Sequence, residues 1–422
     1  MDKVVSVLGG GGHVGLPLCL VLANCGYRVY GIDISEDVNR MVMAGKCPYV
    51  EEGGEAYIRK ALEKKTLTMT SDTAKIKESD IVIITLGTPV DENLNPRISS
   101  LTQIIVENKS YFKKGQLIIF RSTVFPGATE LIKSLVEECT GLVVGRDIFL
   151  VYAPERVLQG KAIEEIRKLP QLIGVFDDKS YQVAEEFFAT FLEDRCFKLT
   201  PTEAEIGKLI TNMARYVEFA FANECYLIAD SFGANSHKII NACNYNYPRL
   251  NLPKPGPNVG GPCLFKDGWF LVERLPFNEI ISAAFKINEG MPMQIVSKLE
   301  KLPNIKKVSI LGMTFKAGSD DTRNSLSFKL RKQLERSNYE LVLVDPYLKN
   351  CDDIKETRGS DAVVLMTPHS EFADLKTILD SVANDECIYV DIWGFWEKMK
   401  YKSQSGYFSG KEAKREYSGL RE

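Results

Sequence analysis

The segment from Pro255 to Asp267 carries the residues best suited to covalent chemistry, because one cysteine stands in a stretch rich in glycine and proline. Cys263 is followed by a lysine three residues later and by an aspartate four residues later. A nearby cation lowers the pKa of a thiol, and the thiolate is the form that attacks an electrophile. Most cysteines are inert packing residues, but the flexible loop and the charged neighbours favour an activated nucleophile at Cys263.

A long helix is predicted to present a second group of polar side chains. Residues 200–203 form a helix start, with an N-cap threonine, a proline at the first helical position and a glutamate at the third. The helical pattern continues to about residue 231, roughly 45 Å at 1.5 Å per residue, which is too long for one small domain. Lys208 and Asn212 lie one turn apart on this helix. They could stabilise an oxyanion together; a solvated helix face is the alternative.

A glycine motif of the form GxGxxG, made by Gly10, Gly12 and Gly15, stands between the first predicted strand and the first helix. Missing side chains let the backbone approach a pyrophosphate, and the helix N-terminus supplies N–H donors. Asp33 ends the second predicted strand, where its carboxylate can bind an adenosine ribose and repel the extra phosphate of NADP. The pattern predicts NAD as cofactor. A glycine-rich turn without a ligand is less attractive, because four consecutive glycines cost chain entropy.

Polar residues also follow three later strands of the predicted sheet. Thr88 and Thr123 stand in turns that contain proline and glycine, and Glu155 and Arg156 follow the strand that ends at Tyr152. In an open α/β sheet, ligands bind at the carboxyl ends of the strands. We therefore expect the two threonines to line the nicotinamide end, and Glu155 and Arg156 to add a carboxylate and a guanidinium.

The elements that must position these groups alternate between strand and helix in the first half of the chain and again after residue 300. This alternation predicts an α/β protein with mainly parallel sheets. The long helix would join the two halves and offer a dimer surface. Residues 398–422 are polar and charged, and we expect them to be poorly ordered.

Bulk composition argues against several classes of function. The net charge is −3 over 422 residues, so no general field attracts nucleic acid or an anionic membrane. No run approaches the roughly 20 apolar residues of a membrane span, and no signal-peptide layout precedes the first strand. The ten cysteines show no CxxC pair and the three histidines no metal-type spacing. These features predict reduced thiols, a cytoplasmic location and no metal site.

Seven motifs, taken in order, resemble those of the UDP-glucose/GDP-mannose dehydrogenase family along nearly the whole chain. They are GGGHVGLP at 10–17, LGTP at 86–89, STVFPG at 122–127, APER at 153–156, AEIGKLITN at 204–212, GGPCLFKD at 260–267 and FKAGSDDTRNS at 315–325. The resemblance implies two Rossmann-like, doubly wound α/β domains joined by a central helical domain. The implied domains are NAD binding at 1–199, helical dimerisation with the cysteine loop at 200–299, nucleotide-sugar binding at 300–400 and a polar tail at 401–422.

The resemblance also implies roles for individual residues. The catalytic residues are Cys263 as nucleophile, Lys208 and Asn212 as the oxyanion pair, and Asp267, supported by Thr123 and Glu155, as the acid that helps to activate water. The cofactor contacts are Gly10, Gly12, His13, Val14, Gly15, Asp33, Thr88, Thr123, Lys266 and Arg323. The substrate contacts are Glu155, Arg156, Lys208, Asn212, Gly260, Phe315, Lys316 and, toward the neighbouring subunit, Arg249. Gln159 departs from glucose-type members, which carry a second glutamate there, so no role of that acid is transferred.

The implied reaction is an NAD-dependent, four-electron oxidation of the 6-hydroxymethyl group of a nucleotide-sugar to a carboxylate, through a thiohemiacetal and a thioester on Cys263. Segment 153–160 resembles the PERxxxG pattern of members that act on N-acetylhexosamines. It favours UDP-N-acetyl-D-mannosamine over UDP-glucose, the alternative, although Arg156 could instead make a structural ion pair. Two rival hypotheses are a two-electron hydroxyacid dehydrogenase, which needs neither Cys263 nor a second α/β domain, and a non-catalytic sensor of NAD and a nucleotide-sugar.

Overall fold

The structure of the chain, a computed structural model, describes residues 3–88, 91, 97–272, 275–396 and 406–419. The chain divides into two compact units, one made by Met1–Thr211 with Lys266–Leu275 and the other by Asn212–Phe265 with Pro276–Glu422. Pro89 of the LGTP motif and tail residues 401–405 and 420–422 lie outside the described residues. None of the described helices is both long and apolar enough to cross a membrane.

Eight strands form the sheet of the first unit: β1 (Val4–Leu8), β2 (Arg28–Ile32), β3 (Leu67–Thr70), β4 (Ile81–Ile84), β5 (Leu117–Phe120), β6 (Phe149–Tyr152), β7 (Gln171–Val175) and β8 (Cys196–Leu199). Their order is β3-β2-β1-β4-β5-β6-β7-β8, and all neighbours are parallel except β6 and β7. The central strands β4, β5 and β6 are apolar and buried along their whole length. Parallel strands covered on both faces must have this composition.

Helices cover both faces of this sheet: α1 (Gly15–Asn24), α2 (Glu36–Met43), α3 (Gly54–Glu63), α4 (Ser99–Glu107), α5 (Ala128–Thr140), α6 (Ala162–Lys168) and α7 (Asp178–Phe188). One apolar core joins α1, α3, α6 and α7 to one face, and a second core joins α4 and α5 to the other. Alternate side chains of each strand feed the two cores. The doubly wound α/β class predicted for this half of the chain is confirmed.

The predicted long helix is present as α8 (Pro201–Ser231), whose 31 residues begin in the first unit and end in the second. It starts with a reciprocal capping box, in which the Thr200 N–H donates to the Glu203 carboxylate (2.8 Å) and the Glu203 N–H donates to the Thr200 hydroxyl (3.3 Å). Three helices follow it along the chain: α9 (Ser236–Asn244), α10 (Gly261–Val272) and α11 (Glu279–Leu299).

The second unit contains the second predicted α/β sheet, which has five strands: β9 (Lys307–Leu311), β10 (Glu340–Val344), β11 (Ala362–Leu365), β12 (Ile388–Val390) and β13 (Tyr407–Ser409). Their order is β10-β9-β11-β12-β13, and only the β12–β13 pair is antiparallel. Helices α12 (Leu326–Arg336) and α13 (Leu375–Val382) pack into separate apolar cores of this unit. The expectation of a second mainly parallel α/β sheet is therefore confirmed.

The expectation of poor order from residue 398 onward is wrong for residues 406–419. Strand β13 pairs with β12, and helix α14 (Gly410–Gly419) follows it. Phe408 is buried and stacks on Tyr389, with ring centroids 5.4 Å apart. The prediction failed because this stretch is polar and charged and contains only one short Tyr-Phe strand. That strand attaches the segment to the sheet by pairing with β12.

Candidate active site

The glycine motif forms a tight turn between β1 and α1, with Val14 at the helix N-cap. A Cβ atom on Gly10 would lie 2.6 Å from the Cα of Gly31, and one on Gly15 would lie 2.0 Å from the Gly9 carbonyl oxygen. Both positions therefore require glycine, since any side chain would collide with backbone. A Cβ on Gly12 would meet nothing closer than 3.4 Å, so the backbone there is open to a close ligand. This turn fits a dinucleotide pyrophosphate.

Asp33 follows β2 and is fixed by two backbone donors. Its carboxylate accepts from the Gly11 N–H (2.9 Å) and from the Ser35 N–H (3.0 Å). The carboxylate is thus tied directly to the glycine turn. That position agrees with the predicted ribose contact, which stays a prediction.

His13, a predicted cofactor contact, is held by two residues of the first unit. Its Nδ1 lies 3.0 Å from the Gln159 amide nitrogen, and its ring centroid lies 3.9 Å from that of Tyr49. The Tyr49 hydroxyl donates to the Gly12 carbonyl (2.8 Å). Gln159, where glucose-type members carry a glutamate, therefore contacts the glycine turn through His13. Sequence reasoning missed Tyr49, which no motif contains.

Thr88, Thr123 and Lys266 come together at the carboxyl ends of β4 and β5. The Thr88 hydroxyl donates to the Thr123 carbonyl (2.6 Å), and the Lys266 ammonium donates to the Thr88 carbonyl (2.6 Å). Lys266 also lies over the Phe270 ring, 5.3 Å from its centroid. Three predicted cofactor contacts thus form one hydrogen-bonded group, although they are up to 178 residues apart.

Glu155 is held as an ion-paired carboxylate after β6. It pairs with the guanidinium of Arg121, a side chain that is only 2% exposed, and it accepts from the Arg156 N–H (2.9 Å). Arg121 also donates to the Gln171 side-chain oxygen (3.2 Å). Arg121 was not among the predicted site residues, and it is the group that fixes Glu155 in the first unit.

Arg156 makes a backbone contact in this structure. Its guanidinium donates to the Pro170 carbonyl, and burial lowers the pKa of Arg156. The side chain is therefore held by the first unit itself. Its predicted contact with the sugar stays a prediction, and the partner that the structure shows is a backbone carbonyl, not the carboxylate of a structural ion pair.

Glu205, near the start of α8, binds the N-terminus of α5. Its carboxylate accepts from the Gly127 N–H (2.6 Å), the Thr129 N–H (2.7 Å) and the Thr129 hydroxyl (2.5 Å). Burial raises the pKa of Glu205, whereas these three donors act in the opposite direction. The contact ties the STVFPG turn, and hence Thr123, to the long helix.

Lys208 and Asn212 both lie buried on α8, with 8% of each exposed. Their spacing puts them on the same side of the helix, one turn apart. Within the part of the chain that the structure describes, no hydrogen bond or ion pair holds the Lys208 ammonium. A lysine side chain that is mostly buried and has no protein partner favours a site that receives negative charge. The predicted alternative of a solvated helix face is therefore wrong for these two residues.

Cys263 lies in the first turn of α10, so the expectation of a flexible loop around it is wrong. Pro262 is compatible with a first helical turn, because that turn needs no donor from it. The Cys263 side chain is exposed, and a helix N-terminus favours a thiolate over a thiol. Asp321 raises the pKa of the Arg323 guanidinium, and Cys263 acts in the same direction. Arg323 is therefore a cation within electrostatic range of the sulfur.

Asp267 stands one turn after Cys263 on α10 and is completely buried. Burial raises the pKa of Tyr152 well above its usual value, and the carboxylates of Glu205 and Asp267 act in the same direction. These three groups of the first unit are therefore neighbours at the end of β6. Tyr152 was predicted only as a strand residue.

Gly260 and Phe315, two predicted substrate contacts, both belong to the second unit, where Gly261 packs against the Phe315 ring and Gly260 against the Asn324 backbone. A Cβ on Gly261 would lie 2.6 Å from the Phe315 ring, and a Cβ on Gly260 would lie 3.0 Å from the Asn324 carbonyl oxygen. The Lys316 carbonyl accepts from the Thr314 hydroxyl (3.2 Å). The FKAGSDDTRNS segment therefore forms the surface on which the glycines before Cys263 rest.

Two predicted arginines have partners within their own unit. Arg323 binds Asp321 through two nitrogens, at 2.6 to 3.1 Å. Arg249 is exposed, donates to the Tyr247 hydroxyl (3.1 Å) and lies over the Tyr247 ring at 4.4 Å. The role of Arg249 toward a neighbouring subunit stays a prediction.

Comparison with known families matches three successive parts of the chain. Residues 3–192 match the NAD binding domain of the UDP-glucose/GDP-mannose dehydrogenase family, residues 202–290 its central domain and residues 309–398 its UDP binding domain. The chain belongs to this family. The predicted membership and the prediction of NAD as cofactor are thereby confirmed, and the protein is a dehydrogenase of the family with residues 3–192 as its NAD binding domain.

Several named members of the family are similar to this chain over most of their length. The UDP-N-acetyl-D-mannosamine dehydrogenase of Pyrococcus horikoshii is 33% identical over 88% of this chain and 91% of its own. The enzyme of the same name from Methanocaldococcus jannaschii is 32% identical over 95% of this chain and 96% of its own. The solved structure of the Pyrococcus horikoshii enzyme superimposes with a TM-score of 0.83 at 32% identity, covering 90% of this chain and 93% of its own. The Staphylococcus aureus UDP-N-acetyl-mannosamine dehydrogenase gives 0.81 at 28% identity, covering 90% and 92%.

Asp33 is expected to make the enzyme prefer NAD to NADP by at least about a hundredfold in kcat/KM, because like charges brought together cost several kcal/mol. Asp33→Asn keeps an oxygen for the Gly11 N–H but removes the charge, so it should narrow the preference by about tenfold or more, or ~1.4 kcal/mol. Steady-state kinetics with both cofactors measure this. Glu36→Gln removes a nearby exposed carboxylate and should leave the ratio unchanged. Equal use of NADP by the wild type would remove Asp33 from this role.

Proposed function

We propose that this protein oxidises the 6-hydroxymethyl group of UDP-N-acetyl-D-mannosamine to a carboxylate in the cytoplasm, with NAD as the electron acceptor. The observation that carries the proposal is the setting of Cys263. The thiol is exposed in the first turn of α10 and within electrostatic range of Arg323. Both features favour the thiolate that a covalent oxidation of an aldehyde needs.

The first oxidation converts the primary alcohol to an aldehyde. The glycine turn and Asp33 would hold NAD, which would supply the hydride acceptor for each of the two oxidations. Lys208 and Asn212 donate hydrogen bonds to the substrate oxygen and stabilise its negative charge as the alcohol proton passes to a water molecule. Their burial supports this role, because water competes little for buried donors.

The second oxidation proceeds on Cys263. Its sulfur forms a bond to the aldehyde carbon, and the oxygen of the resulting thiohemiacetal is stabilised by the same Lys208–Asn212 pair. Loss of a hydride from that carbon leaves a thioester. Water then attacks the thioester, Asp267 takes up the proton of the water, and the Cys263 thiolate leaves as the carboxylate forms. The covalent bond keeps the aldehyde from escaping between the two oxidations.

The choice of sugar rests on the family relatives rather than on Arg156. Relatives that are 32 to 34% identical over most of the chain carry the name UDP-N-acetyl-D-mannosamine dehydrogenase. The APER segment agrees with that choice by its pattern. The contact between Arg156 and Pro170 leaves the hydrogen bonds to the acetamide group to be assigned by kinetics.

Turnover of UDP-N-acetyl-D-mannosamine by the wild type is expected to yield two NADH for each acid, because the reaction removes four electrons. NADH absorbance, measured against acid quantified by mass spectrometry, gives the ratio. A ratio of one with an aldehyde or ketone product would support the two-electron rival. Binding of both ligands without any turnover, across a panel of nucleotide-sugars, would support the sensor.

We also propose that α8 contributes to a homodimer interface. Phe221, Ile228 and Phe232 are each at least half exposed. Phe221 and Ile228 are seven residues apart and so lie on one side of α8, and Phe232 directly follows the last residue of the helix. An exposed apolar stripe on a long helix is typical of a surface that pairs with another chain. This stripe supports the dimer that the sequence predicts.

A further inference from the structure

Asn258, five residues before Cys263, is a buried amide with an unusual number of partners. Only 3% of it is exposed. Its side-chain oxygen accepts from the Leu326 N–H (2.7 Å). Four acceptors converge on its two amide protons: the Thr314 carbonyl (3.0 Å), the Ser325 hydroxyl (3.1 Å), the Ser327 hydroxyl (3.2 Å) and the Thr367 hydroxyl (2.9 Å).

The partners of Asn258 belong to three different elements of the second unit. Thr314 follows β9, Thr367 follows β11, and Ser325 is the N-cap of α12. The Thr367 hydroxyl also donates to the Thr314 carbonyl (2.5 Å), so the network closes on itself. One amide therefore joins the carboxyl ends of two neighbouring strands to the start of a helix. A fully satisfied buried network of this kind is rigid.

The backbone between Asn258 and Cys263 also contacts the FKAGSDDTRNS segment at 315–325. The Gly261 N–H donates to the Asn324 carbonyl (3.3 Å), and Gly261 has a φ of +80°, which a side chain rarely tolerates. Further upstream, the Gly256 N–H donates to the Asn223 side chain (2.8 Å). Hydrogen bonds therefore hold the backbone on either side of Asn258, at Gly256 and at Gly261. Asn258 itself makes more hydrogen bonds than either glycine.

We infer that Asn258 is a positioning residue that fixes where α10 begins and hence where the Cys263 sulfur stands relative to Arg323. The inference rests on the proposed covalent role of Cys263. Displacement of a reacting group by about 1 Å can cost on the order of a hundredfold in rate. Asn258 touches no reacting atom of the proposed mechanism. Its effect passes through the backbone of Gly260 and Gly261.

Asn258→Asp tests the inference, because it preserves the shape of the side chain and replaces the amide donor by an oxygen that repels the Thr314 carbonyl. We expect kcat with UDP-N-acetyl-D-mannosamine to fall by about a hundredfold, and KM to change less than about threefold. The rate at which iodoacetamide alkylates Cys263 should fall by about fivefold or more, because a sulfur displaced from Arg323 is less readily ionised. Mass spectrometry on the complete chain follows this rate.

Two further variants keep the test decisive if Asn258→Asp folds poorly. Asn258→Ser retains one hydroxyl donor and should give intermediate losses in kcat and in alkylation. Ser327→Ala removes one hydroxyl from the same network but leaves the other partners of Asn258, so both rates should stay within about threefold of the wild type. Cys387 is completely buried, and its alkylation reports unfolding.

The inference is overturned if both Asn258 variants keep wild-type kcat and wild-type alkylation of Cys263. It is also overturned if they lower only the melting temperature, with both rates unchanged in the folded fraction. Alkylation does not depend on which reaction the enzyme performs. If Cys263→Ser retained acid formation, the proposed function would fail while the alkylation result for Asn258 still stood or fell by itself.

Discussion

Replacing Cys263 with serine is expected to lower the rate of acid formation by at least about a thousandfold, because sulfur serves as both nucleophile and leaving group. A serine hydroxyl is not ionised near neutral pH, and an oxygen ester would not release the acid as a thioester does. Cys263 is not among the predicted contacts with NAD, which include the glycine turn and Asp33. The Kd for NAD should therefore change less than about twofold, as for a loss confined to the chemical step.

Product analysis makes this result specific. Acid is quantified by mass spectrometry after incubation with UDP-N-acetyl-D-mannosamine and NAD, and the affinity for NAD is measured by calorimetry. Cys243→Ser is the matched control, because it makes the same change at another exposed cysteine of the second unit and should leave the rate unchanged. Acid formation by Cys263→Ser at the wild-type rate would rule out the covalent mechanism.

UDP-N-acetyl-D-mannosamine is expected to exceed UDP-glucose in kcat/KM by about a hundredfold or more. A site that hydrogen-bonds an acetamide leaves buried donors unpaired when a substrate lacks that group, and such a loss discriminates strongly. Steady-state kinetics with both sugars, and with UDP-N-acetylglucosamine, measure the ratio. A clear preference for UDP-glucose would overturn the assignment of the sugar and leave the family and the covalent mechanism intact.

The same kinetics separate the two interpretations of Arg156. In Arg156→Gln, a lost substrate contact would raise KM for the N-acetyl sugar more than KM for UDP-glucose. Loss of the contact to the Pro170 carbonyl would instead lower the melting temperature and affect both sugars alike. Lys161→Gln, an exposed change in the same stretch of chain, is the control and should do neither.

Much of the fold could be predicted because buried parallel strands appear in the sequence as apolar runs. The apolar runs at 4–8 and 28–32 predict β1 and β2 with the bounds that the structure shows. The runs at 308–311, 340–344, 362–366 and 388–391 predict β9 to β12 to within two residues of their ends. Strands β3, β7 and β8 were not predicted. In β8 no residue is fully buried, and Phe197 is 44% exposed, so the segment lacks the apolar run that identifies a strand. Its place at the sheet edge comes from pairing with β7, which is a tertiary property.

The candidate site also contains residues that the sequence predicts and residues that it does not. Residues within motifs, such as Lys208, Asp267 and Cys263, could be named because the family pattern contains them. Arg121 and Asn258 could not be assigned roles, because their partners lie up to 109 residues away along the chain and no spacing rule links them. Buried hydrogen-bond networks are specified by the folded backbone, whereas the motifs are specified by local chemistry. The start of α10 was missed for a local reason, since Gly-Gly-Pro is common in loops and in first helical turns alike.

Strand β13 also governs how the second unit can be shortened. It covers one side of β12, an Ile-Tyr-Val strand whose other side is occupied by β11. A chain cut back to Trp396 would leave the N–H and C=O groups along that side without partners and would uncover Tyr389. An unpaired apolar strand is a template for pairing between molecules, and it leads to aggregation. The charged C-terminal stretch therefore contains the strand that prevents β12 from pairing with a strand of a second molecule.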